Sequence, residues 1–111
     1  FGMMTQELET SVRENIPIVV LVYNDQGYGA LRLFQKVQHQ GRYLGSDYGQ
    51  TDLALLAQAY GARGEIIEDP ADLKPALERA LAAGVTTVLD IRTDPWQSHY
   101  RAEEFKEFHM F

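Results

Sequence analysis

Apolar residues along the chain recur first at helical spacing and then in a continuous run. Met4, Leu8 and Val12 stand four residues apart among polar neighbours, which predicts a surface helix over residues 4–14. Residues 18–23 are uninterruptedly apolar and mostly β-branched. Such a run is typical of a strand that is covered on both faces in a parallel sheet. The chain is therefore expected to enter a buried sheet directly after its first helix.

Segments with helical spacing and short apolar strands continue through the rest of the chain. Further helices are predicted over residues 30–38, from a cap at Thr51 to about residue 60, from a cap at Asp69 to about residue 83, and after Pro95, where Phe105 and Phe108 recur. Further strands are predicted over residues 65–68 and 85–91. Helices and strands in this order predict an α/β fold, a doubly wound parallel sheet with helices on both faces.

Composition narrows the classes of function that this fold could serve. The chain has 111 residues, enough for one modest domain, and 45% of them are hydrophobic. Its formal net charge of −6 argues against a nucleic-acid partner. The longest apolar run is too short to span a bilayer, so no membrane association is expected. Cysteine is absent, which excludes disulfides and thiolate chemistry and suits the cytoplasm.

The start of the chain is unusual for a parallel sheet. It reads Phe1-Gly2-Met3-Met4 and passes at once into a helical pattern, with no strand ahead of the helix. Because a parallel sheet needs a strand before its first crossover helix, the simplest interpretation is that residues are missing upstream. The alternative is a processed or tagged start with Met3 as the initiator.

Candidate chemistry lies at the carboxyl ends of the predicted strands, where open α/β sheets bind ligands. Asp69-Pro70 follows the second strand and is best explained as a helix cap. Residues 92–95 follow the third strand and read as an ordinary turn. The end of the first strand has more groups that could bind a ligand, since Asn24 and Asp25 offer oxygen atoms and the nearby glycines let a ligand approach the backbone. On the residues alone, a simple turn and a magnesium–diphosphate site both remain open there.

A dinucleotide-binding turn is the obvious rival explanation for this loop. Residues 27–32 begin like the pattern G-x-G-x-x-G, but the sixth position is Arg32 rather than glycine. No acidic strand end follows at the expected distance either. We therefore reject this alternative.

Several segments together resemble a known family. Phe1-Gly2-Met3-Met4, residues 7–10, residues 13–18 and Asn24-Asp25-Gln26-Gly27-Tyr28-Gly29 are similar to thiamine-diphosphate enzymes of the acetolactate synthase-like group. In that family a Gly-Asp-Gly turn precedes an Asn-Asn or Asn-Asp pair by some 25–30 residues, and the two form a magnesium–diphosphate site. The turn would fall just before Phe1. The resemblance thus implies that residues 1–111 are the C-terminal part of a thiamine diphosphate (diphosphate-binding) domain.

The resemblance also implies roles for individual residues. Asp25 matches the side-chain metal ligand, and Gly27 matches the residue whose carbonyl completes the Mg²⁺ shell. Asn24, Tyr28 and Gly29 are expected against the diphosphate, and Phe1 close enough to touch the cofactor. Asp25 replaces an asparagine found in many members, which adds negative charge beside the diphosphate and should make binding depend more strongly on magnesium.

The implied activity is decarboxylation of a 2-oxo acid such as pyruvate, with or without carboligation to a second carbonyl. No catalytic residue is assigned, because the activating glutamate of the family lies on a pyrimidine-binding domain of a neighbouring subunit in a homodimer or homotetramer. Leu33 and Phe34 replace the Gln-Trp pair of acetohydroxyacid synthases, so 2-oxobutyrate is not expected as acceptor. A flavin (FAD) is not indicated. The alternative is a non-catalytic α/β interaction or regulatory module that has lost the cofactor.

Overall fold

The computed structural model of the protein describes residues 1–95. The predicted helix with Phe105 and Phe108 lies outside the described residues. Contacts divide the chain into two compact units. The first, here called the sheet unit, comprises Phe1–Asn24 and Asp52–Arg92. The second, here called the α2 unit, comprises Asp25–Thr51 and resumes at Thr93.

Helices and strands alternate along the chain as the hydrophobic pattern predicts. In chain order they are α1 (Glu7–Arg13), β1 (Val19–Asn24), α2 (Gly29–Gln38), α3 (Leu53–Ala59), β2 (Arg63–Ile67), α4 (Pro70–Ala82) and β3 (Thr87–Arg92). Among these helices of residues 1–95, none has the length and apolar character required to cross a bilayer.

The three strands form one parallel sheet in the order β1-β3-β2. The register aligns Val19 with Thr87 at one end of the β1–β3 pair and Asn24 with Arg92 at the other. The central strand β3 is buried at every position except its last. This arrangement confirms the predicted parallel α/β sheet and places the carboxyl ends of the strands at one edge.

Helices cover both faces of the sheet unit, as predicted. On one face, α4 packs on a cluster that contains Ile67, Ala76, Ala80, Leu89 and Ile91. On the other face, side chains of α1, α3 and the strands form a second cluster that contains Leu8, Ala57, Ala62 and Val88. The small alanines let the helices approach the strands closely, and the burial of these apolar side chains stabilises the unit.

The prediction that the strand at residues 18–23 is covered on both faces is wrong for β1. Val20 and Val22 pack against the α1–α3 cluster. Leu21 and Tyr23 point to the opposite face and are 38% and 67% exposed. The physical reason is the edge position of β1, where only Val19 packs against the α4 cluster.

Two details of the helices differ from the sequence prediction. The cap of α3 is Asp52 rather than Thr51, because the Asp52 carboxylate accepts a hydrogen bond from the Leu55 amide at 2.7 Å. The four-residue spacing of Leu73, Leu77 and Leu81 predicts that all three face the core. Leu81 is instead 66% exposed, since the face of α4 that meets the sheet runs through Ala76 and Ala80. The predicted cap at Asp69 is confirmed.

Candidate functional site

A buried carboxylate lies at the carboxyl edge of the sheet. Asp90, near the end of β3, is fully buried, and its Oδ1 accepts a hydrogen bond from the side-chain amide of Asn24 at 2.8 Å. Its Oδ2 accepts a hydrogen bond from the Leu53 amide at 3.2 Å and lies 3.1 Å from an Arg92 guanidinium nitrogen. Asp90 thus connects the end of β1, the start of α3 and the end of β3.

This network fixes the orientation of Asn24, the first residue of the predicted site. Asn24 is 2% exposed and is the last residue of β1. Because its amide NH₂ donates to Asp90, the side chain is held at the sheet edge where parallel α/β sheets bind ligands. The Asp90 charge is itself compensated by Arg92, whose side chain is 21% exposed.

In the α2 unit, Asp25 begins the loop that precedes α2. Its half-buried carboxylate accepts a hydrogen bond from the Gly27 amide at 3.3 Å through Oδ1. At Gly29, the first residue of α2, a Cβ atom would lie 2.6 Å from Asp25 Oδ2. A side chain at position 29 would therefore displace the carboxylate. Glycine at position 29 lets the Asp25 carboxylate lie close against the helix backbone.

A second loop of the α2 unit supports the first one. The Tyr28 amide donates to the Ser46 carbonyl at 2.8 Å, and the Tyr48 amide donates to the Gln26 carbonyl at 3.2 Å. An antiparallel β-bridge joins Gly27 to Asp47. The rings of Tyr28 and Tyr48 meet edge to face, with their centroids 5.4 Å apart. These contacts tie the loop at residues 26–28 to the segment at residues 46–48.

The amino end of α2 offers backbone donors next to this loop. Tyr28 occupies the N-cap position, and its side chain makes no capping hydrogen bond. The first turn of the helix carries no acidic residue. A helix amino end with this character favours an anion through its dipole and its backbone amides.

The donor set fits a magnesium ion that is shared with a phosphorylated ligand. Asp25 supplies a carboxylate and Gly27 a carbonyl, and both are hard oxygen donors. Within residues 1–95, no group of three or more His, Cys, Asp or Glu side chains could hold a metal ion by itself. Magnesium commonly completes its shell with water and phosphate oxygens, so two protein donors suit it better than a zinc or calcium ion.

The structure places the sequence-predicted residues in two groups. Asp25, Gly27, Tyr28 and Gly29 lie together in the loop and first turn of the α2 unit, whereas Asn24 belongs to the sheet unit. Phe1 also belongs to the sheet unit, is 39% exposed, and accepts a hydrogen bond from the Met4 amide at 2.9 Å. Contact of any of these residues with a cofactor remains a prediction.

Sequence reasoning missed Asp90 and Arg32. Asp90 could have been found, because a charged residue in the middle of a buried apolar strand is rare unless it is paired. Arg32 was used only to reject a dinucleotide-binding turn. It is 4% exposed and makes ion pairs with Asp25 at 3.1 Å and with Asp47. Local sequence gives no signal for it, since Asp47 joins the cluster only through the folded loop.

Comparison with known proteins identifies the family to which the chain belongs. The family model described as "Thiamine pyrophosphate enzyme, C-terminal TPP binding domain" matches residues 1–91. The chain belongs to this family. The resemblance inferred from the motifs at the start of the chain and around Asp25 is therefore confirmed for this thiamine pyrophosphate enzyme domain.

Curated relatives and a solved structure extend the comparison. The domain is similar to acetolactate synthase of Bacillus subtilis, with 33% identity over 85% of this chain and 16% of that protein. It is also similar to sulfoacetaldehyde acetyltransferase of Castellaniella defragrans, with 30% identity over 82% of this chain and 16% of that protein. The thiamine diphosphate-dependent 4-hydroxybenzoylformate decarboxylase of Rhodococcus jostii superimposes with a TM-score of 0.78 at 33% identity, over 84% of this chain and 18% of that one. The chain thus spans under a fifth of the length of each.

Proposed function

We propose that this chain holds the magnesium–diphosphate end of thiamine diphosphate in an enzyme that decarboxylates a 2-oxo acid such as pyruvate. The observation that supports it most is the placement of the Asp25 carboxylate against Gly29 at the uncapped amino end of α2. A carboxylate for a hard cation and helix amides for an anion occur there in one short loop. Membership of the thiamine pyrophosphate enzyme family supports thiamine diphosphate as the cofactor of the proposal.

The proposed roles follow the residues of the two units. Asp25 and the Gly27 carbonyl would hold Mg²⁺, while Tyr28 and Gly29 would bind the diphosphate mainly through backbone amides. Asn24, oriented by Asp90, would bind at the sheet edge, and Phe1 would touch the cofactor. When bound, thiamine diphosphate supplies the electron sink for loss of carbon dioxide, and the protein supplies binding and orientation.

The substrate is proposed only as a class. The named relatives are an acetolactate synthase, an acetyltransferase and a decarboxylase, so the proposal covers decarboxylation both with and without carboligation to a second carbonyl. Leu33 is one of the buried residues of α2, with 8% of its surface exposed. Because Leu33 and Phe34 stand where acetohydroxyacid synthases carry Gln-Trp, we do not propose 2-oxobutyrate as acceptor. Nothing in the chain indicates FAD.

We further propose that the enzyme works as a homodimer or homotetramer in the cytoplasm. The family resemblance implies an activating glutamate on a pyrimidine-binding domain of a neighbouring subunit. Light scattering of the full-length protein tests the oligomer. A monomer that decarboxylates a 2-oxo acid at full rate would contradict it.

Titration of the full-length protein with thiamine diphosphate, with and without Mg²⁺, tests the proposed function. We expect magnesium-dependent binding that Asp25→Ala weakens at least about tenfold, as for a lost metal ligand or its close support. Asp72→Ala removes an exposed carboxylate from the first turn of α4 and should leave binding unchanged. Unchanged binding by Asp25→Ala would refute the site. Absence of binding by the unsubstituted protein would favour a non-catalytic module that has lost the cofactor.

A further inference from the structure

Arg32 is a buried cation at the centre of the α2 unit. Besides its two ion pairs, Nη2 donates to the main-chain carbonyl of Asp25 at 3.0 Å and Nη1 to the carbonyl of Pro95 at 3.0 Å. Nη1 also donates to Asp25 Oδ2 at 3.1 Å. The guanidinium therefore holds Asp25 by both its side chain and its backbone.

The two ion pairs differ in their exposure to solvent. The Asp25 side chain is 25% exposed, whereas that of Asp47 is 64% exposed, so solvent screens the Asp47 pair more. An arginine that is 5% exposed at its side chain needs a compensating charge, because an unpaired buried charge is costly. Asp25 provides that charge and is in turn fixed by it.

Gly27 makes this arrangement possible. A Cβ atom there would overlap the Arg32 guanidinium and would lie 2.6 Å from the Ser46 carbonyl oxygen. The glycine is required for close approach of the guanidinium to the loop. The loop backbone, Arg32 and the Asp25 carboxylate therefore fit together as one packed group.

We propose that Arg32 is a positioning residue for the metal site: it fixes the Asp25 carboxylate in place and offsets the negative charge that Asp25 adds beside the diphosphate. This inference rests on the proposed function. It assigns Arg32 no contact with substrate, metal or cofactor. Its effect passes through Asp25, and it depends on the planar fork of arginine, which reaches two oxygens of one residue as a lysine ammonium cannot.

The test measures the Mg²⁺ concentration for half-maximal binding of thiamine diphosphate to the full-length protein. We expect Arg32→Gln to raise that concentration about 10- to 100-fold, the usual effect of losing a partner that orients a metal ligand. Arg32→Lys keeps the charge but loses the fork, and should raise it about tenfold. The matched control is Arg42→Gln, because Arg42 is an exposed arginine of the same unit.

Two further measurements separate positioning from general stability. In an Asp25→Asn background the same Arg32→Gln change should have a markedly smaller effect on the Mg²⁺ requirement, because the ion pair is already lost. Without cofactor, amide exchange at Tyr28 and Tyr48 should accelerate in Arg32→Gln, since the loop that Arg32 braces is loosened. Equal effects of Arg32→Gln in both backgrounds would overturn the proposal.

The outcomes distinguish this inference from the proposed function. Unchanged Mg²⁺ dependence in Arg32→Lys and Arg32→Gln, with binding lost in Asp25→Ala, overturns the role of Arg32 and leaves the metal site standing. If Arg32→Gln does not fold, the test is made on Arg32→Lys. A Mg²⁺ requirement of Arg32→Lys equal to that of the unsubstituted protein then overturns the proposal. Failure of the unsubstituted protein to bind thiamine diphosphate overturns both.

Discussion

Replacing Asp90 by asparagine tests the network at the carboxyl edge of the sheet. The substitution preserves the size of the side chain and removes its charge and one acceptor. The carboxylate accepts hydrogen bonds from the Asn24 amide and the Leu53 amide and lies beside Arg92. An asparagine has one acceptor oxygen, so its NH₂ group must face one of these donors.

The expected cost follows from the bonds that are lost. A hydrogen bond to a charged group contributes about 1.5–3 kcal/mol, and a buried donor left without an acceptor costs about 1–3 kcal/mol. Because Arg92 is partly exposed, water can solvate its charge when the carboxylate is gone. We therefore expect Asp90→Asn to destabilise the contacts between the ends of β1 and β3 and the start of α3 by about 2–3 kcal/mol.

Amide hydrogen exchange of the cofactor-free full-length protein measures this local change. The Leu53 amide donates directly to Asp90, so peptides that contain it should exchange about 30- to 150-fold faster at the expected cost. Asp72→Asn, the same change at an exposed carboxylate, serves as the control. Exchange of the Leu53 main-chain amide at the original rate would show that Asp90 does not hold these elements together.

Two further predictions concern packing and activity. Gly64→Ala should lower the unfolding free energy in thermal melts by about 1–3 kcal/mol, because a Cβ atom there would overlap the Ala54 backbone of α3. The control Gly49→Ala, where a Cβ atom would have nothing within 4 Å, should change the unfolding free energy by less than about 0.5 kcal/mol. Equal melting temperatures of the two variants would contradict the close contact of α3 with β2. The isolated 111 residues should show no turnover, since the activating glutamate is not assigned to them, and detectable carbon dioxide release from pyruvate would refute this.

The hydrophobic pattern was sufficient to predict the order of elements and the class of fold. Residues 18–23 could be recognised as a strand because the run is apolar and β-branched, and β1 indeed covers Val19–Asn24. The exposure of Tyr23 was not predictable, because the pattern of one strand does not tell whether it lies at the edge or in the centre of a sheet.

The candidate site was predictable only where its residues are adjacent in sequence. Asp25 and Gly27 could be selected together because strand, acid and glycine follow one another within a few positions. Arg32 lies seven positions from Asp25, but the local pattern does not show that the two side chains pair. Asp90 contacts Asn24 across 66 positions of sequence, through a hydrogen bond that exists only after folding. A window of sequence contains no information on such distant pairing beyond the unusual presence of a charge in an apolar run.

The position of β3 in the middle of the sheet has a consequence for biosynthesis. β1 and β2 do not pair with each other, and both hydrogen-bond to β3, the last of the three strands within residues 1–95. Until Thr87–Arg92 leave the ribosome, both earlier strands lack their partner in this sheet. Between the synthesis of β1 and that of β3, the nascent chain therefore carries open strand edges, a state that is slow to resolve and prone to aggregation. Chaperone dependence during translation should follow from the strand order itself.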